Sequence, residues 1–248
     1  MPELKDIAAD PAVLDELVLR DIHPDDGMAR SFDHYFKCGR EAAWRCATLL
    51  TLCGAKQPSS ILDFACGHGR VARYFRAAFP DATLYVSDIN QSGVEFCVSS
   101  FDAIEAPTSQ TFSDIVLEQP VSLIWSGSLF THLDEDRAAE LLDFFHNALA
   151  PGGLAVFTSH GNRTASFYHE GKWPYVLNDE QMKSLTEAFE RKEYGFVAQT
   201  KNGKYGISIT PLQWFQDYTY RNKGFRIVGL VDAGWDNHQD VIALLRTD

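Results

Sequence analysis

The sequence predicts an α/β fold with a seven-stranded, mostly parallel sheet, an antiparallel last strand and helices on both faces. Short apolar runs alternate with segments whose apolar residues recur at helical spacing, and this alternation is typical of parallel sheets. The first strand, 60–65, runs into the glycine turn Cys66-Gly67-His68-Gly69. The final strands, 225–231 and 241–245, are joined by too short a segment for a crossover helix, so they must pair antiparallel.

The elements before residue 160 follow each other in a regular order. A short helix is expected near 11–20 and a long one over 32–53, where apolar residues keep the helical rhythm until Gly54 ends it. After the glycine turn we expect helices at 71–79, 91–101 and 133–149 and strands at 83–87, 121–125 and 154–158. Pro80 ends the first of these helices, and the last has an acidic first turn. Residues 103–109 are expected to form an edge strand at most.

Residues 160–210 interrupt this alternation and are expected to form an insertion on the substrate side. Its predicted elements are an aromatic-rich loop (160–177), a helix (178–191) with a capping box of Asn178 and Gln181, and two strands (196–200 and 205–209) flanking the hairpin dipeptide Asn202-Gly203. A helix from Thr210 to about 224 then leads back to the sheet. We therefore expect one domain, 1–248, with N-terminal helices in 1–55.

The composition excludes several classes of protein. The 248 residues carry 22 Lys and Arg against 34 Asp and Glu, a net charge of −12, which disfavours binding to the phosphates of nucleic acids. The five cysteines include no C-x-x-C pair, so neither a disulfide framework nor a thiolate metal site is expected. No stretch approaches the roughly 18 apolar residues of a membrane span. We expect a cytoplasmic protein with a small-molecule partner.

The glycine turn is compatible with two kinds of cofactor. Gly67, Gly69 and Ala72 satisfy the dinucleotide pattern G-x-G-x-x-G/A, and Asp88 follows at a distance suited to a ribose. Asp63, however, lies four residues before Gly67 in an otherwise apolar strand. Its carboxylate would repel a pyrophosphate and attract an ammonium group. This favours S-adenosylmethionine, which carries an ammonium and a sulfonium and no phosphate, over a nicotinamide dinucleotide.

The run Ile61-Leu62-Asp63-Phe64-Ala65-Cys66-Gly67-His68-Gly69 resembles the first motif of class I S-adenosylmethionine-dependent methyltransferases, which have a Rossmann-like fold. The resemblance continues at Asp88, which matches the acidic residue that binds the ribose in this family, and at 113–115, where the family contacts the adenine. Residues 126–133 resemble the segment that lines the methionine end of the cofactor. Residues 149–154 resemble the turn before the fifth strand, and the final antiparallel pair also matches the family. The resemblance covers about 35–246 apart from the insertion. Arg70 departs from the pattern, since many members carry a third glycine there.

The resemblance implies a set of cofactor-binding residues around the carboxyl ends of the strands. Simpler roles compete at three of them: Asp63 as a cap of the glycine turn, Tyr35 in plain helix packing, and Cys66 as a small apolar side chain without a neighbouring base. The implied set is Tyr35, Asp63, Ala65, Cys66, Gly67, Gly69, Asp88, Ile89, Asp114, Ile115, Ser126 and Gly127.

The acceptor side is less sharply defined. A methyltransferase acting on oxygen or nitrogen needs alignment and removal of a proton, for which His132, His160 and His238 are candidates. His132 sits at a predicted helix start, where capping is the competing role. We expect the small or medium-sized acceptor to contact Tyr168, Trp173, Tyr205 and Trp235. Two alternatives stay open: an S-adenosylmethionine-binding protein without turnover, and an NAD(P)-dependent oxidoreductase.

Overall fold

A computed structural model describes residues 2–172, 175–201, 203, 205–222 and 224–248. The helices in these ranges are α1 (Leu4–Ala9), α2 (Phe32–Leu52), α3 (Ala72–Ala78), α4 (Gln91–Phe101), α5 (Glu135–Ala148), α6 (Asn162–His169), α7 (Asp179–Glu190) and α8 (Leu212–Arg221). The strands are β1 (Ser60–Phe64), β2 (Thr83–Ser87), β3 (Ile104–Glu105), β4 (Val121–Ser126), β5 (Leu149–His160), β6 (Gly195–Ala198), β7 (Gly206–Ile209), β8 (Phe225–Trp235) and β9 (Gln239–Arg246).

Seven strands form one sheet in the order β3-β2-β1-β4-β5-β9-β8. The pairs among β1 to β5 are parallel, whereas β9 runs antiparallel to both of its neighbours. The predicted fold class is therefore confirmed, including the antiparallel last strand. Because the strand order reverses between β1 and β4, their carboxyl ends form the crevice in which open α/β sheets bind ligands.

Two apolar layers cover the sheet. One joins α2, α3 and α4 to one face, and the other joins α5 and α8 to the opposite face. A third, smaller cluster lies inside the insertion, where α6, α7 and β7 contribute buried side chains. The insertion thus has a core of its own, and its two strands β6 and β7 form a separate antiparallel pair.

Most predicted elements are confirmed with shifted ends. The capping box of Asn178 and Gln181 is present, and Gly54 follows α2 with a φ of +65°. The hairpin is present as β6 and β7, although Asn202 of its predicted turn lies outside the described residues. The edge strand β3 has only two residues.

Two predictions were wrong. The helix expected near 11–20 is only a single 3-10 turn, Pro11–Leu14, which follows α1 and in which the Asp10 side chain accepts the N–H of Ala12. The expected loop at 160–177 contains α6. Its polar and aromatic sequence has weak intrinsic helix propensity, and the helix is stabilised by packing Ala165 and Tyr168 into the core of the insertion.

No helix within the described ranges is both long enough and apolar enough to cross a bilayer.

Candidate active site

The glycine turn ties the end of β1 to the end of β2. The backbone N–H groups of Ala65 and Cys66 donate to the carbonyl of Ser87, at 2.8 and 3.1 Å. The φ angles of Ala65, Gly67 and Gly69 are +67°, +52° and +75°, all in the left-handed region that favours glycine. Ala65 therefore holds a conformation that costs an L-residue about 1–2 kcal/mol, at the point where β1 opens into the crevice.

Asp88 closes this turn from β2. Its Oδ2 accepts the N–H of Gly67 at 2.7 Å, and its Oδ1 accepts the N–H of Asn90 at 2.8 Å. A carboxylate oxygen can accept more than one hydrogen bond, so each oxygen keeps a further acceptor position. Asp88 is thus both a structural cap and an available acceptor for a diol.

A cavity of about 280 Å³ lies beside Asp88. This volume is near the lower end of the roughly 300–1,000 Å³ of ligand pockets, and suits part of a nucleoside-containing ligand. Of the predicted cofactor residues, Ala65, Asp88 and Ile89 line it, together with Phe64, Ser87, Thr108, Ser109, Gln110, Phe112, Leu129, Leu133, Arg137, Thr200 and Tyr205. Asp114 and Ile115 are not among its lining residues; Phe112 and 108–110 occupy the wall that they were expected to form.

Asp63 and Ser126 lie near the carboxyl ends of the adjacent strands β1 and β4. Both are buried, and Asp63 Oδ2 and Ser126 Oγ have no hydrogen-bond partner among the described residues. Burial raises the pKa of Asp63 to about 7, and the negative charge of Asp88 adds to this shift; the Ala72 N–H and Arg70 oppose it. A buried carboxylate with one oxygen lacking a partner among the described residues fits a site that receives a cation or a hydrogen-bond donor.

The segment 19–28 covers the glycine turn from the N-terminal side. His23 stacks on His68 with 4.6 Å between the ring centroids, and Tyr35 donates its hydroxyl hydrogen bond to Asp26 at 2.6 Å. Tyr35 also accepts from the buried guanidinium of Arg73 at 3.2 Å. Tyr35 is therefore placed in a packed, hydrogen-bonded layer instead of at the cavity. Sequence reasoning did not single out His23, Asp26 or His68, because their contacts join distant parts of the chain.

Trp235 and Cys66 are also packed. The indole N–H of Trp235 donates to the carbonyl of Cys38 at 2.8 Å, and its ring lies edge-on to Trp125. The Arg70 guanidinium lies 4.9 Å above that ring. A hydrogen bond with Cys97, and then burial, raise the pKa of Cys66, so its thiol stays protonated. Trp235, expected at the acceptor pocket, lies instead in the core, with its ring beside Gly127.

Two of the predicted histidines hold the hairpin of the insertion. His132 Nδ1 lies 2.8 Å from the carbonyl oxygen of Gly206, and His160 Nδ1 lies 2.9 Å from that of Ser208. A carbonyl only accepts, so Nδ1 carries the hydrogen in both rings and Nε2 is an acceptor. Burial lowers the pKa of both, that of His160 to about 3, which keeps the imidazoles neutral. His160 Nε2 is buried and has no partner among the described residues.

His238 lies against His160, with 6.0 Å between the ring centroids. Its Nδ1 is 2.7 Å from the carbonyl oxygen of Asp236, so its Nε2 accepts a hydrogen bond from the Tyr175 hydroxyl. Burial lowers the pKa of His238 as well. Tyr175 lies between the two histidines, 5.1 Å from the His160 ring centroid. The structure therefore brings two of the three predicted histidines together and adds Tyr175 to them.

The residues predicted to contact the acceptor lie in different parts of the structure. Tyr205 lines the cavity and stacks on His132 at 4.5 Å. Tyr168 is buried in the core of the insertion, and its hydroxyl has no hydrogen-bond partner among the described residues. Trp173 lies outside the described residues.

The chain matches a family model, described as a methyltransferase domain, over residues 38–203. A malonyl-[acyl-carrier protein] O-methyltransferase from Pseudescherichia vulneris is 24% identical over 156 residues. That match takes in 60% of this chain and 56% of the length of the relative, so the chain spans little more than half of it.

Solved methyltransferase structures share the fold. The N-methyltransferase NodS from Bradyrhizobium japonicum WM9, in complex with S-adenosyl-L-homocysteine, is 14% identical, with a TM-score of 0.55 and coverage of 95% of this chain and 97% of its own. A Burkholderia thailandensis 1,6-didemethyltoxoflavin-N1-methyltransferase is 15% identical, with a TM-score of 0.55 and coverage of 99% and 87%. The matching family model spans more than half of the chain, which therefore belongs to the methyltransferase domain family.

Proposed function

We propose that this protein transfers the methyl group of S-adenosylmethionine to an oxygen or nitrogen of a small or medium-sized acceptor held beneath the insertion. The observation that carries this proposal is the buried Nε2 of His160, which has no hydrogen-bond partner among the described residues. It lies beside the Tyr175–His238 pair, at the carboxyl end of β5 and the amino end of β9. Ligands of open α/β sheets bind at this edge. Cytoplasmic location and the absence of nucleic acid from its partners stay predictions.

On the cofactor side, the residues present fit S-adenosylmethionine. Asp88 offers acceptor positions for the ribose hydroxyls, and Ala65, Ile89 and Phe112 offer a largely apolar wall for the base. The orphaned oxygens of Asp63 and Ser126 are available to donors or positive charge at the methionine end. When bound, the cofactor supplies a methyl group already activated on a sulfonium.

On the acceptor side, His160 serves to orient the acceptor. Its Nδ1–H is used by the carbonyl of Ser208, so Nε2 presents a lone pair to a donor such as a hydroxyl or an N–H group. With a pKa of about 3, the His160 imidazole is a weak base, but its Nε2 can still accept a hydrogen bond. Because the methyl group is already activated, positioning is the main contribution required from the chain. His238 and Tyr175 complete the polar wall.

A binding protein without turnover is the second candidate. The observation in its favour is that burial lowers the pKa of all three histidines, which leaves the site poor in bases. The two candidates share the cofactor site and differ only in whether an acceptor is methylated.

Two measurements test the proposal. Calorimetric titration with S-adenosylmethionine should show one saturable site that Asp88→Asn weakens at least tenfold, whereas Asp81→Asn, at an exposed carboxylate, leaves the affinity unchanged. Mass spectrometry of a metabolite panel incubated with protein and cofactor should then reveal a methylated product. Saturable binding without any product would favour the second candidate, and no binding at millimolar ligand would contradict both.

A further inference from the structure

Outside the cavity, three side chains capable of binding a metal converge at one point. His34 and Cys38 lie one turn apart on α2, and Asp236 lies in the turn between β8 and β9, about 200 positions later in the chain. Their potential ligand atoms all lie within 4.8 Å of one another. We propose that His34, Cys38 and Asp236 bind one divalent transition-metal ion of the zinc class.

The distances are close to those of a tetrahedral site. Zinc bonds to sulfur at about 2.3 Å and to nitrogen at about 2.0–2.1 Å, and tetrahedral angles then place the two atoms roughly 3.5 Å apart. Cys38 Sγ lies 3.5 Å from His34 Nε2. His34 Nε2 and Asp236 Oδ1 are 2.6 Å apart, and this pair must widen by less than about 1 Å to admit the ion. The His34 side chain is 43% exposed and free to make that adjustment.

The arrangement differs from a catalytic Cys–His–Asp relay. In a relay, the thiol and the carboxylate contact opposite nitrogens of the imidazole. Here both Cys38 Sγ and Asp236 Oδ1 approach Nε2 of His34. Three donor atoms that face a common point, instead of forming a chain, are the geometry of ligands around an ion.

The charges at the site suit a divalent ion. A thiolate and a carboxylate together neutralise two positive charges, and Glu41 lies close by, accepting the Asp236 N–H at 3.3 Å. Burial raises the pKa of the Cys38 thiol to about 12, and Arg70 partly opposes that shift. A bound metal ion deprotonates a coordinating thiol outright, so the thiol need not be ionised beforehand. Zinc-class ions prefer this mixture of sulfur, nitrogen and oxygen donors, whereas magnesium and calcium prefer oxygen.

The bound ion would link α2 to the turn between β8 and β9. That turn also carries the carbonyl that fixes the orientation of His238. Three protein ligands leave a fourth position for water. The inference is independent of methyl transfer, because metal affinity is measured without cofactor or acceptor.

Tag-free protein, stripped with a chelator and titrated with Zn²⁺ against a chromophoric competitor, tests the inference. We expect one ion per chain, a higher thermal unfolding midpoint on loading, and with Co²⁺ the charge-transfer absorption of a thiolate ligand. Cys38→Ser should abolish that absorption, and His34→Ala, at a half-exposed position, should weaken binding at least tenfold. Cys53→Ser, at a free thiol just beyond α2, is the matched control and should behave as wild type.

Two results would overturn the inference: wild-type protein that takes up no stoichiometric ion, or His34→Ala and Cys38→Ser variants that bind as tightly as Cys53→Ser. A folded His34→Ala variant keeps the test valid even if Cys38→Ser, at a buried position, fails to fold.

Discussion

The two ends of the candidate site are built in different ways. The cofactor end is local: β1, the glycine turn and Asp88 follow each other within one βαβ unit, and backbone hydrogen bonds join them. The acceptor end takes His160, Tyr175 and His238 from three separate segments and rests on the insertion, which has its own small core. If the proposed function is correct, cofactor binding is encoded in a short stretch of sequence, whereas acceptor specificity depends on long-range packing.

Gly69→Ala should break the cofactor end most severely. The added Cβ would clash with the Phe101 ring and lie 2.8 Å from Cys97 Sγ, at a φ of +75°. Left-handed strain and overpacking together predict a loss of about 3 kcal/mol in the free energy of unfolding, measured by urea denaturation. Gly152→Ala, at a φ of +77° with open space around the new Cβ, should cost only about 1–2 kcal/mol. Equal losses would show that close packing at Gly69 is unimportant.

Asp63→Asn should change the free energy of unfolding and the affinity for the cofactor in opposite directions, which separates the two roles of this carboxylate. Because the folded pKa of Asp63 is raised to about 7, the folded state holds its proton more tightly than the unfolded chain. Stability from this group is therefore present below about pH 4 and lost as the pH rises towards 7. At pH 8 the variant should be more stable than wild type by roughly 4 kcal/mol, and at pH 4 the two proteins should be almost equally stable.

The same Asp63→Asn variant should bind S-adenosylmethionine more weakly at pH 8, since the neutral amide does not attract a cation. Denaturation and calorimetric titration at both pH values measure the two effects. A variant that is less stable at pH 8, or that binds the cofactor with wild-type affinity, would contradict a functional carboxylate at this position.

Tyr168→Phe tests whether the acceptor end contains a polar group without a partner. Its hydroxyl is buried and makes no hydrogen bond among the described residues, so its removal should stabilise the protein by about 1 kcal/mol. Tyr218→Phe is the matched control: that hydroxyl donates to Asp143 at 2.6 Å, and its loss should destabilise by about 1 kcal/mol. Thermal unfolding compares them. Destabilisation by Tyr168→Phe would mean that this hydroxyl is satisfied in the folded protein.

Ala65→Gly is the mildest test of the cofactor end. Relief of the left-handed strain at a φ of +67° outweighs the backbone entropy of glycine, and a gain of about 0.5 kcal/mol in unfolding free energy is expected. Urea denaturation resolves a difference of this size when repeated. A clear loss of stability would show that the alanine methyl group packs favourably in the cavity wall.

The sequence predicted where the glycine turn and Asp88 lie in the fold, because the signals for both are local. Strand, glycine turn and Asp88 appear in order, and their relative positions follow from chain geometry alone. Asp114 and Ile115 were predicted at the cavity, but the structure has Phe112 and residues 108–110 there. This part of the cavity wall comes from a loop, whose sequence has no periodicity from which its position could be predicted. The mostly parallel character of the sheet followed from the alternation of strands and helices, whereas the order of its strands was not predicted.

The acceptor end was predicted only as a list of residue types. Nothing in the sequence near His160 indicates that its Nδ1 meets the carbonyl of Ser208, because that contact depends on how the insertion folds back onto β5. Trp235 was expected at a pocket on account of its place in a polar turn, but the length of β8 carries it into the core. The proximity of His34 and Asp236 was equally invisible, since their contact depends on tertiary packing.

The most direct test of the proposed acceptor site is the steady-state kinetics of His160→Asn with the acceptor found by the metabolite screen. We expect kcat/KM for the acceptor to fall roughly 100-fold through lost positioning, while the Kd for S-adenosylmethionine stays within about twofold of wild type. His146→Asn, at a histidine in the last turn of α5, just before β5 begins, and paired with Asp248, should match wild type in both. Wild-type kcat/KM in His160→Asn, or a loss that follows weakened cofactor binding, would contradict the proposed acceptor site.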